Sequence, residues 1–505
     1  MKFFIPAWYQ ENQWWRDKNV PFYEKENRSD FDDMISLMNM HKKNSQPFHL
    51  IQLAYHSSFQ LFLHRNHLYE CEYFSIFDFI QGFPKSTPRP LDYRDFNWPE
   101  GTEFIYTLFI IKAVNDNEVT NIYYNEDGYL VWMEKFIDNV KVSKWIFDNR
   151  GFLSSIIKYV DGREQQLFYL NYDGDILLEE NLVTGEVYVR KDFEKFKSKY
   201  YTNIEFLIQE QLTTYLENFQ VDSVIVAFNK CHNHLIESVI SNENIVYSIF
   251  KERNSAEFLI EGLHDTKFIV DTKSNENKLL AKINQSNILR ITPFDTEVLP
   301  SISNQLYLDY IGIFIDGISD KELIKIIQVL QPILLESGKY KLSLLTRKGS
   351  HSRTEELRQI VSDVNDKFLE KEDLEDLLEE AIKDLEVIKF EYIPYEVDLL
   401  KLISKIRIIV DLSSEPDLYI QIASISSGIP QINKVKNEYV ADGMNGLIIN
   451  DINQLPNAIL DYLQSLKQWN ASLSYSYKLI EKYSSLNIIK TIDYFLEGGS
   501  YGEEI

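Results

Sequence analysis

Two short stretches of the chain carry side chains whose types and spacing could do chemistry. The first is Cys231-His232-Asn233-His234, which places one thiol and two imidazoles within four residues. Thiolate and imidazole are the ligands that zinc prefers, but a structural zinc site needs four ligands. No second group of such residues stands out in the sequence. We therefore expect no metal here, and we interpret these residues as unliganded positions after a strand.

The second stretch is residues 408–417, Ile-Ile-Val-Asp-Leu-Ser-Ser-Glu-Pro-Asp, in which an apolar run ends in a polar loop. We expect a helix from there to Ser427, and Gly428-Ile429-Pro430 then leads to a new strand. The turn Asp442-Gly443-Met444-Asn445-Gly446 follows. In doubly wound sheets, ligands bind at the carboxyl ends of the strands, so the polar loop is a candidate site.

This order of strand, polar loop, helix and Gly-x-Pro, with the later Gly-x-Asn-Gly turn, resembles the donor-binding unit of GT-B glycosyltransferases. In active retaining members of that family, two glutamates eight residues apart serve the donor sugar and the ribose hydroxyls. By this resemblance Glu415 matches the first glutamate, and the second should stand five residues before Gly428, where the chain has Ala423. Because a methyl group cannot accept a hydrogen bond from a ribose diol, half of the pair is missing.

The predicted diphosphate site departs from the same family pattern. The strand at residues 310–315 should lead into Gly-Arg, with a lysine a few residues on, to hold the donor's diphosphate. Gly317 is present, but Ile318 stands where the arginine belongs, and Lys321 lies nearby without a fixed place in the alignment. A diphosphate needs positive groups or a helix N-terminus directed at it, so this part of the site is also incomplete.

The loop after the first strand is the third departure. Many GT-B enzymes have a glycine-rich loop there, where backbone approaches the donor, but the first glycine of this chain is Gly82. Trp8, Trp14 and Trp15 occupy the region instead, and bulky rings fill the space that glycine leaves open. These tryptophans are candidates for stacking on sugar rings, and the alternative for each is plain packing in the core.

Together these departures predict a degenerate donor site, with no catalytic residue and no cofactor. The positions Glu415, Ala423, Gly428, Gly317 and Ile318 are then remnants of a donor site. An active glycosyltransferase with an unusual donor mode stays the alternative, because Glu415 is retained. A stand-alone carbohydrate-binding module fits less well, because it would not need two α/β domains.

The elements that must position these residues belong to two predicted α/β domains. Residues 1–105 and 191–297 alternate strand-like and helical runs, which predicts a discontinuous domain with a parallel sheet. Residues 298–505 form a second Rossmann-like domain, with the last helix crossing back and an early break at Pro456. The predicted fold class is α/β, with two Rossmann-like domains in GT-B arrangement and an antiparallel β-meander inserted in the first.

The predicted meander occupies residues 106–190 and is indicated by its turns. Turn residues recur in two interleaved series with a step of 23 residues: Gly128, Gly151, Gly174 and Asn139, Gly162, Gly185. Asn and Gly tolerate the positive φ of tight hairpins, so a turn every 11 or 12 residues predicts successive antiparallel strands. The meander is either a structural insertion or a flat surface that docks a partner or an extended chain.

The bulk composition excludes several classes of protein. The chain has 505 residues, of which 44% are hydrophobic and 26% charged, as in ordinary globular proteins. Its formal charge of −25 repels phosphate backbones, so nucleic-acid binding is not expected. No apolar run approaches the roughly 18 residues of a membrane span, and the N-terminus lacks the features of a secretory signal, so we expect a cytoplasmic protein.

The opening Phe4-Ile5-Pro6-Ala7-Trp8-Tyr9, the predicted meander and the GT-B-like C-terminal half together resemble the accessory secretory proteins of the accessory Sec system, specifically their first member. The resemblance covers essentially the whole chain. It implies a cytosolic protein of Gram-positive bacteria that acts with two sister accessory proteins and the accessory SecA motor ATPase. The implied cargo is a glycosylated serine-rich repeat adhesin, and contact with the membrane would be indirect, through the translocase.

Two surfaces are candidates for these partners. One is the predicted meander. The other is the charged face of a predicted helix whose apolar positions, Leu374, Leu377, Leu378, Ala381, Ile382 and Leu385, fall at helical spacing. The alternative for that face is an ordinary solvated surface.

Overall fold

The computed structural model describes residues 2–9, 13–17, 19–24, 31–254, 263, 265–298, 310–337, 339–371 and 384–499. The chain divides into two compact units. Unit 1 comprises Met1–Ser29, Leu37–Ile291 and Phe495–Ile505, and unit 2 comprises Asp30–Ser36 and Thr292–Tyr494. A short segment from near the N-terminus therefore belongs to unit 2. Within the described ranges, no helix is long and apolar enough to cross a membrane.

Unit 1 contains two sheets. Its strands in chain order are β1 (Lys2–Ile5), β2 (Phe48–Gln52), β3 (Glu72–Ser75), β4 (Glu103–Tyr106), β5 (Ile111–Asn115), β6 (Glu118–Tyr124), β7 (Leu130–Ile137), β8 (Val140–Asp148), β9 (Phe152–Val160), β10 (Arg163–Leu170), β11 (Ile176–Asn181), β12 (Val187–Val189), β13 (Tyr200–Tyr201), β14 (Ser223–Ala227), β15 (Ile245–Ile249), β16 (Lys267–Val270) and β17 (Ile288–Arg290). The helices up to this point are α1 (Asp33–Lys43), α2 (Phe59–Arg65), α3 (Ile76–Gln81), α4 (Ile204–Leu216), α5 (Asn233–Val239) and α6 (Lys273–Leu280).

The first sheet has seven parallel strands in the order β17-β16-β15-β14-β1-β2-β3. Its strands read as continuous apolar runs, because helices cover both faces of such a sheet. Chain order reverses between β1 and β14, which makes that pair the topological switch point where a doubly wound sheet opens a crevice.

The second sheet is the antiparallel meander, ten strands in sequence order from β4 to β13. The predicted turns are confirmed: Gly128, Gly151, Gly162, Gly174 and Gly185 all have positive φ, and Asn139 has φ 64°. Because successive side chains alternate between faces, the sheet has two different sides. Trp132 and Ile146 lie in the main core of unit 1 with Phe3 and Ile5, whereas Met133, on the opposite face, packs in a small separate cluster.

Unit 2 is built on six parallel strands. They are β18 (Tyr310–Phe314), β19 (Lys341–Thr346), β20 (Ile388–Tyr392), β21 (Ile406–Asp411), β22 (Gln431–Asn433) and β23 (Gly446–Ile448), in the order β20-β19-β18-β21-β22-β23. The helices are α7 (Asp320–Ser337), α8 (Glu355–Leu369), α9 (Glu396–Ile403), α10 (Leu418–Ser427), α11 (Leu455–Gln464), α12 (Leu466–Lys482) and α13 (Ser485–Leu496). The switch point of this sheet lies between β18 and β21.

One detail of the predicted elements is wrong. The predicted break of the C-terminal helical stretch at Pro456 is not found, because this proline lies in the first turn of α11. Proline is tolerated there because the first helical N–H groups have no partner within the helix. The predicted acidic helix falls mainly on residues 372–383, outside the described residues.

Candidate functional site

The candidate site of unit 2 lies at the carboxyl edge of its sheet, around the switch point between β18 and β21. The loop after β18 contains Gly317 and Ile318, and the loop after β21 runs to Asp417. Asp411, the last residue of β21, is buried and accepts hydrogen bonds from the Ser413 hydroxyl at 2.6 Å and the Asp417 N–H at 2.8 Å. Burial raises the pKa of the Asp411 carboxyl. Its role is to shape the loop, not to face an open site.

An arginine at this edge is paired with a carboxylate of the chain itself. Arg347, just after β19, donates Nη1 and Nη2 to the two oxygens of Asp417 at 2.7 and 2.9 Å, a bidentate pair. Both side chains are largely buried. Asp417 is also the N-cap of α10, where its Oδ1 accepts the Ile420 N–H at 2.9 Å. A helix N-terminus with a facing arginine is what an anionic diphosphate needs, and here a carboxylate occupies both.

A phenylalanine covers the same arginine. The ring of Phe31, from the N-terminal segment that belongs to unit 2, lies 3.9 Å from the Arg347 guanidinium and packs edge-on against Tyr419. The Phe31 N–H donates to Glu396, which also accepts the Tyr419 hydroxyl. Phe31 has φ 61°, a conformation that bulky residues rarely adopt. Residues held in such conformations persist only where their surroundings fix them, as these contacts do.

The predicted diphosphate positions have structural roles instead. Ile318 is buried in the core of unit 2. Gly317 allows two loops to meet, since a Cβ at that position would lie 2.6 Å from the Ser413 Cβ. The arginine that the family pattern requires is absent from this position, and Arg353 instead donates to the backbone carbonyl of Ile318 and to Asp320.

A double-variant cycle tests the role of Gly317. We expect Gly317→Ala to lower the free energy of unfolding by about 1–3 kcal/mol, because the new methyl group overlaps Ser413. Ser413→Gly removes the obstacle, so Gly317→Ala should cost much less in that background. Thermal unfolding of the wild type, both single variants and the double variant measures the coupling. An equal loss in both backgrounds would mean that the Ser413 contact is not the cause.

The two positions of the predicted glutamate pair differ in their ability to accept a hydrogen bond. Glu415 lies half-buried in the loop before α10. Ala423 is buried within α10 and offers no acceptor. Gly428 ends the helix in the left-handed conformation, with φ 67°, and its backbone caps the preceding carbonyls. That these positions are the remnant of a donor site stays a prediction.

The corresponding edge of unit 1 is filled by aromatic rings. Trp14 is buried, contacts the rings of Tyr9 and His232, and donates its Nε1 to Glu205 at 2.9 Å. Of the two interpretations of Trp14, core packing is the one this placement favours, since neither ring face is open. Trp8, half-buried against Phe62, and Trp15, bound through Nε1 to Glu180 at 3.2 Å, stay candidates for sugar stacking.

The Cys231–His234 stretch follows β14 as predicted. Among the described residues, no group of three or more His, Cys, Asp or Glu side chains is placed to hold a metal. His232 is buried, and its Nε2 lies 2.8 Å from the carbonyl of Ala227, so this nitrogen is assigned the proton. Burial lowers the pKa of His232 to about 3, which makes it a neutral core residue.

The low pKa of His232 predicts acid sensitivity of unit 1. In the unfolded chain histidine titrates near 6.5, so the stabilisation is present above that pH and is lost progressively as the pH falls toward about 3. We expect the urea midpoint to fall between pH 7 and pH 5 by less in His232→Gln than in the wild type. Equal falls would show that His232 does not contribute.

Sequence reasoning missed Phe31, Arg347 and Asp417. A local signal existed for Asp417, because aspartate before an apolar run marks a helix N-cap. Arg347 directly follows a buried strand, which places a cation at the sheet edge. No local signal points to Phe31, whose contacts are with residues more than 300 positions away.

Comparisons with known proteins agree over the whole chain. The family model for the accessory Sec system protein, the first of the accessory secretory proteins, matches residues 1–498. A protein of the same description from Staphylococcus aureus is 38% identical over 518 residues, covering 99% of each chain. In the crystal structure of accessory secretory proteins 1, 2 and 3 from Streptococcus pneumoniae, a chain 26% identical matches with a TM-score of 0.78, covering 98% of this chain and 99% of that one.

The fold also matches a glycosyltransferase. The pneumococcal O-GlcNAc transferase GtfA, solved with UDP and GlcNAc, superposes with a TM-score of 0.66 at 14% identity, covering 98% of both chains. At that identity the match speaks for the fold alone. The predicted fold class, parallel α/β of the GT-B glycosyltransferase type with an antiparallel sheet, is confirmed.

Proposed function

This chain belongs to the accessory Sec system protein family, that of accessory secretory protein 1, and from that premise we propose that it is a non-catalytic component of accessory secretion. It forms a complex with two sister accessory proteins. In finer detail, the complex works with the accessory SecA motor ATPase to deliver a glycosylated serine-rich repeat adhesin for export. The protein acts in the cytoplasm and reaches the membrane only through these partners.

The paired Arg347 is the observation that carries the non-catalytic part of this proposal. A donor diphosphate would need the cation and the N-terminus of α10, and Asp417 already occupies both. Phe31 covers the guanidinium from another side. Displacing this pair would leave a buried carboxylate beside the incoming phosphates, which is strongly unfavourable. Ala423 removes one ribose acceptor as well.

The proposal of sister partners is supported by the solved relatives. A chain similar to this one over 98% of its length occurs in the structure of accessory secretory proteins 1, 2 and 3. A second occurs in the Gap123 complex of Streptococcus agalactiae. The proposal of the motor and of the adhesin as partners rests on the family resemblance.

Calorimetric titration with a panel of nucleotide sugars, UDP-GlcNAc among them, tests the non-catalytic part. We expect no binding in the micromolar range. Micromolar binding of any one, with turnover that is lost in Glu415→Ala, would establish the enzymatic alternative instead. We also expect Glu415→Ala to keep its complex with the sister proteins in pull-down, because our proposal places the docking surface on the meander.

The tip of the β4–β5 hairpin is our candidate docking surface on the meander. Residues 105–109 expose Ile105, Tyr106, Leu108 and Phe109, with Leu108 at 87%. Exposed apolar side chains in one group mark protein interaction sites, and we assign this one to a sister accessory protein because a similar chain occurs in the structure of accessory secretory proteins 1, 2 and 3. We expect Leu108→Asp to abolish co-purification with the sister proteins. Val183→Asp, which changes a similarly exposed residue in another hairpin of the sheet, is the control.

If Leu108→Asp binds the sister proteins as the wild type does, the hairpin tip is not the docking surface. Circular dichroism of the variant separates this outcome from misfolding. The other candidate surface, the acidic helix around residues 374–385, lies mainly outside the described residues and stays a prediction.

A further inference from the structure

A cavity lies beside the tip of the β4–β5 hairpin. It encloses about 430 Å³ and is lined by Tyr23, Thr107, Phe109, Ile110, Lys112 and Tyr123. Lys112 of β5 pairs with Asn121 of β6, and Tyr123 lies two residues further along β6, so Lys112 and Tyr123 are on the same face of the sheet. Because Tyr123 belongs to the main core of unit 1, the cavity is on the face that packs against that core.

One wall of the cavity comes from the N-terminal segment at residues 19–24. The Phe22 N–H donates to the carbonyl of Tyr124 at 3.0 Å, which holds this segment against β6. The ring of Tyr23 packs edge-on against Phe109 of the hairpin tip, with the ring centroids 5.2 Å apart. Two distant parts of the sequence therefore build one aromatic wall.

The lining combines apolar surface with a single cation. The Thr107 hydroxyl donates to the carbonyl of Ile110 at 2.8 Å, and the Tyr123 hydroxyl donates to Glu134 at 2.8 Å, so both hydroxyls are already engaged. Lys112 is half-buried and is the one charged residue of the described lining. Within the part of the chain that the structure describes, its ammonium makes no ion pair and no hydrogen bond. A partly desolvated cation of this kind attracts a carboxylate.

The exposure of the aromatic wall favours a protein as the occupant. Tyr23 is 40% exposed and Phe109 is 55% exposed. A small-molecule site buries most of its ligand, which so open a wall does not do. A protein partner covers the rim as well, and interfaces are commonly anchored by one side chain that fills such a pocket. The cavity also adjoins the exposed side chains of the hairpin tip, Leu108 among them.

We propose that this cavity is the anchor pocket for a sister accessory protein, and that it takes an apolar side chain that stands beside a carboxylate in the partner. The apolar side chain packs between Tyr23, Phe109 and Ile110, and the carboxylate pairs with Lys112. A second copy of this chain fits less well, because two molecules with a charge of −25 repel each other. This inference rests on the proposed partnership with the sister proteins and adds the chemistry that the partner must present.

Titration calorimetry of the full chain with the two purified sister proteins tests the pocket. We expect Lys112→Glu to raise the Kd by at least about tenfold, because the carboxylate of the partner then meets a like charge. Lys112→Met keeps the apolar stem and loses the charge, so it should raise the Kd by a smaller factor. Lys158→Glu, which makes the same change at an exposed lysine on the opposite face of the sheet, is the control and should leave the Kd unchanged.

A photo-crosslink identifies the side chains of the partner. With p-benzoylphenylalanine in place of Phe109, we expect a crosslink to an apolar residue of a sister protein that has an Asp or Glu beside it. Replacing that carboxylate by lysine should weaken binding to the wild type and restore binding to Lys112→Glu. A purely structural role of Lys112 would not give this rescue.

The outcomes separate the pocket from the partnership. If the wild type binds the sister proteins and both Lys112 variants bind equally well, the pocket is refuted and the partnership stands. A crosslink to a second copy of this chain also refutes the pocket as a site for a sister protein. If the wild type binds neither sister protein, the partnership and the pocket fail together. Should the circular dichroism of Lys112→Glu differ from the wild type, Lys112→Met decides, and an unchanged Kd in that variant refutes the pocket.

Discussion

Replacing Arg150 by methionine is expected to lower the free energy of unfolding of unit 1 by about 3–5 kcal/mol. Arg150 is 1% exposed in its side chain and directs all its N–H groups to acceptors. Nε and Nη2 donate to Asp148 at 2.7 Å, Nη2 and Nη1 donate to Asp78 of α3, and Nη1 also reaches the carbonyl of Pro84. Without the guanidinium, the buried carboxylate of Asp148 and the partly buried carboxylate of Asp78 face each other with no cation. The effect is large because removal of one partner leaves uncompensated charge.

The same change should loosen the meander specifically. Asp148 is the last residue of β8 and Arg150 lies in the β8–β9 turn, whereas Asp78 lies on α3. This network therefore ties the antiparallel sheet to a helix that packs with the parallel sheet. We expect faster hydrogen exchange in β8 and β9 and a thermal midpoint for unit 1 lower by about 6–12 °C. Arg190→Met is the control, because its pair with Glu179 is half exposed and should contribute at most about 1 kcal/mol. Equal effects of the two substitutions would refute the role of burial.

Most of the fold is predictable from the sequence for a simple physical reason. Hairpin turns need residues that tolerate positive φ, and the spacing of Gly128, Gly151 and Gly174 therefore marks the ends of strands within the sequence itself. Parallel strands are equally visible as apolar runs such as the one that forms β21. Both signals lie within a few consecutive residues, so they can be recognised in the sequence without knowledge of the fold.

The buried polar network cannot be found in that way. Asp148-Asn149-Arg150-Gly151 has the composition of a solvent-exposed turn, and it does form a turn. Its burial depends on α3, some 70 residues earlier in the chain, which no short pattern contains. The same holds for Phe31, whose partners Glu396 and Arg347 lie in the other half of the sequence.

In the candidate site, the sequence reveals which donor-binding group is missing but not which side chains take its place. The absence of a second glutamate is visible directly in the sequence, because the family pattern places that glutamate five residues before Gly428, where the chain has Ala423. What fills the place of the donor is not visible in the sequence, since Arg347 and Asp417 are 70 residues apart and meet only through the parallel pairing of the sheet. A missing residue can be recognised from a single sequence position. A site whose cation is paired with a carboxylate of the same chain can be recognised only from the folded structure.

Asp417→Ala removes the carboxylate that is paired with Arg347. We expect it to lower the free energy of unfolding of unit 2 by about 3 kcal/mol or more. The substitution removes the helix cap on the Ile420 N–H, worth about 1 kcal/mol, and leaves Arg347 largely buried without its carboxylate. Asp417→Asn separates the two contributions, because asparagine caps helices as well as aspartate does but carries no charge. Thermal unfolding of both variants gives the sizes of the two terms.

Inorganic pyrophosphate should restore part of this loss in Asp417→Ala and leave the wild type unchanged. The freed guanidinium of Arg347 and the uncapped N-terminus of α10 would then form the anion site that Asp417 fills in the wild type. A ligand at 100 times its Kd adds about 2.7 kcal/mol, so the shift is measurable in a melting curve. Arg347→Met in the Asp417→Ala background should abolish the effect of pyrophosphate. This double variant should nevertheless unfold at a higher temperature than Asp417→Ala alone, because no unpaired buried charge remains. If pyrophosphate stabilises the wild type as much as the variant, the site is open in the native protein and the interpretation of Asp417 as its occupant fails.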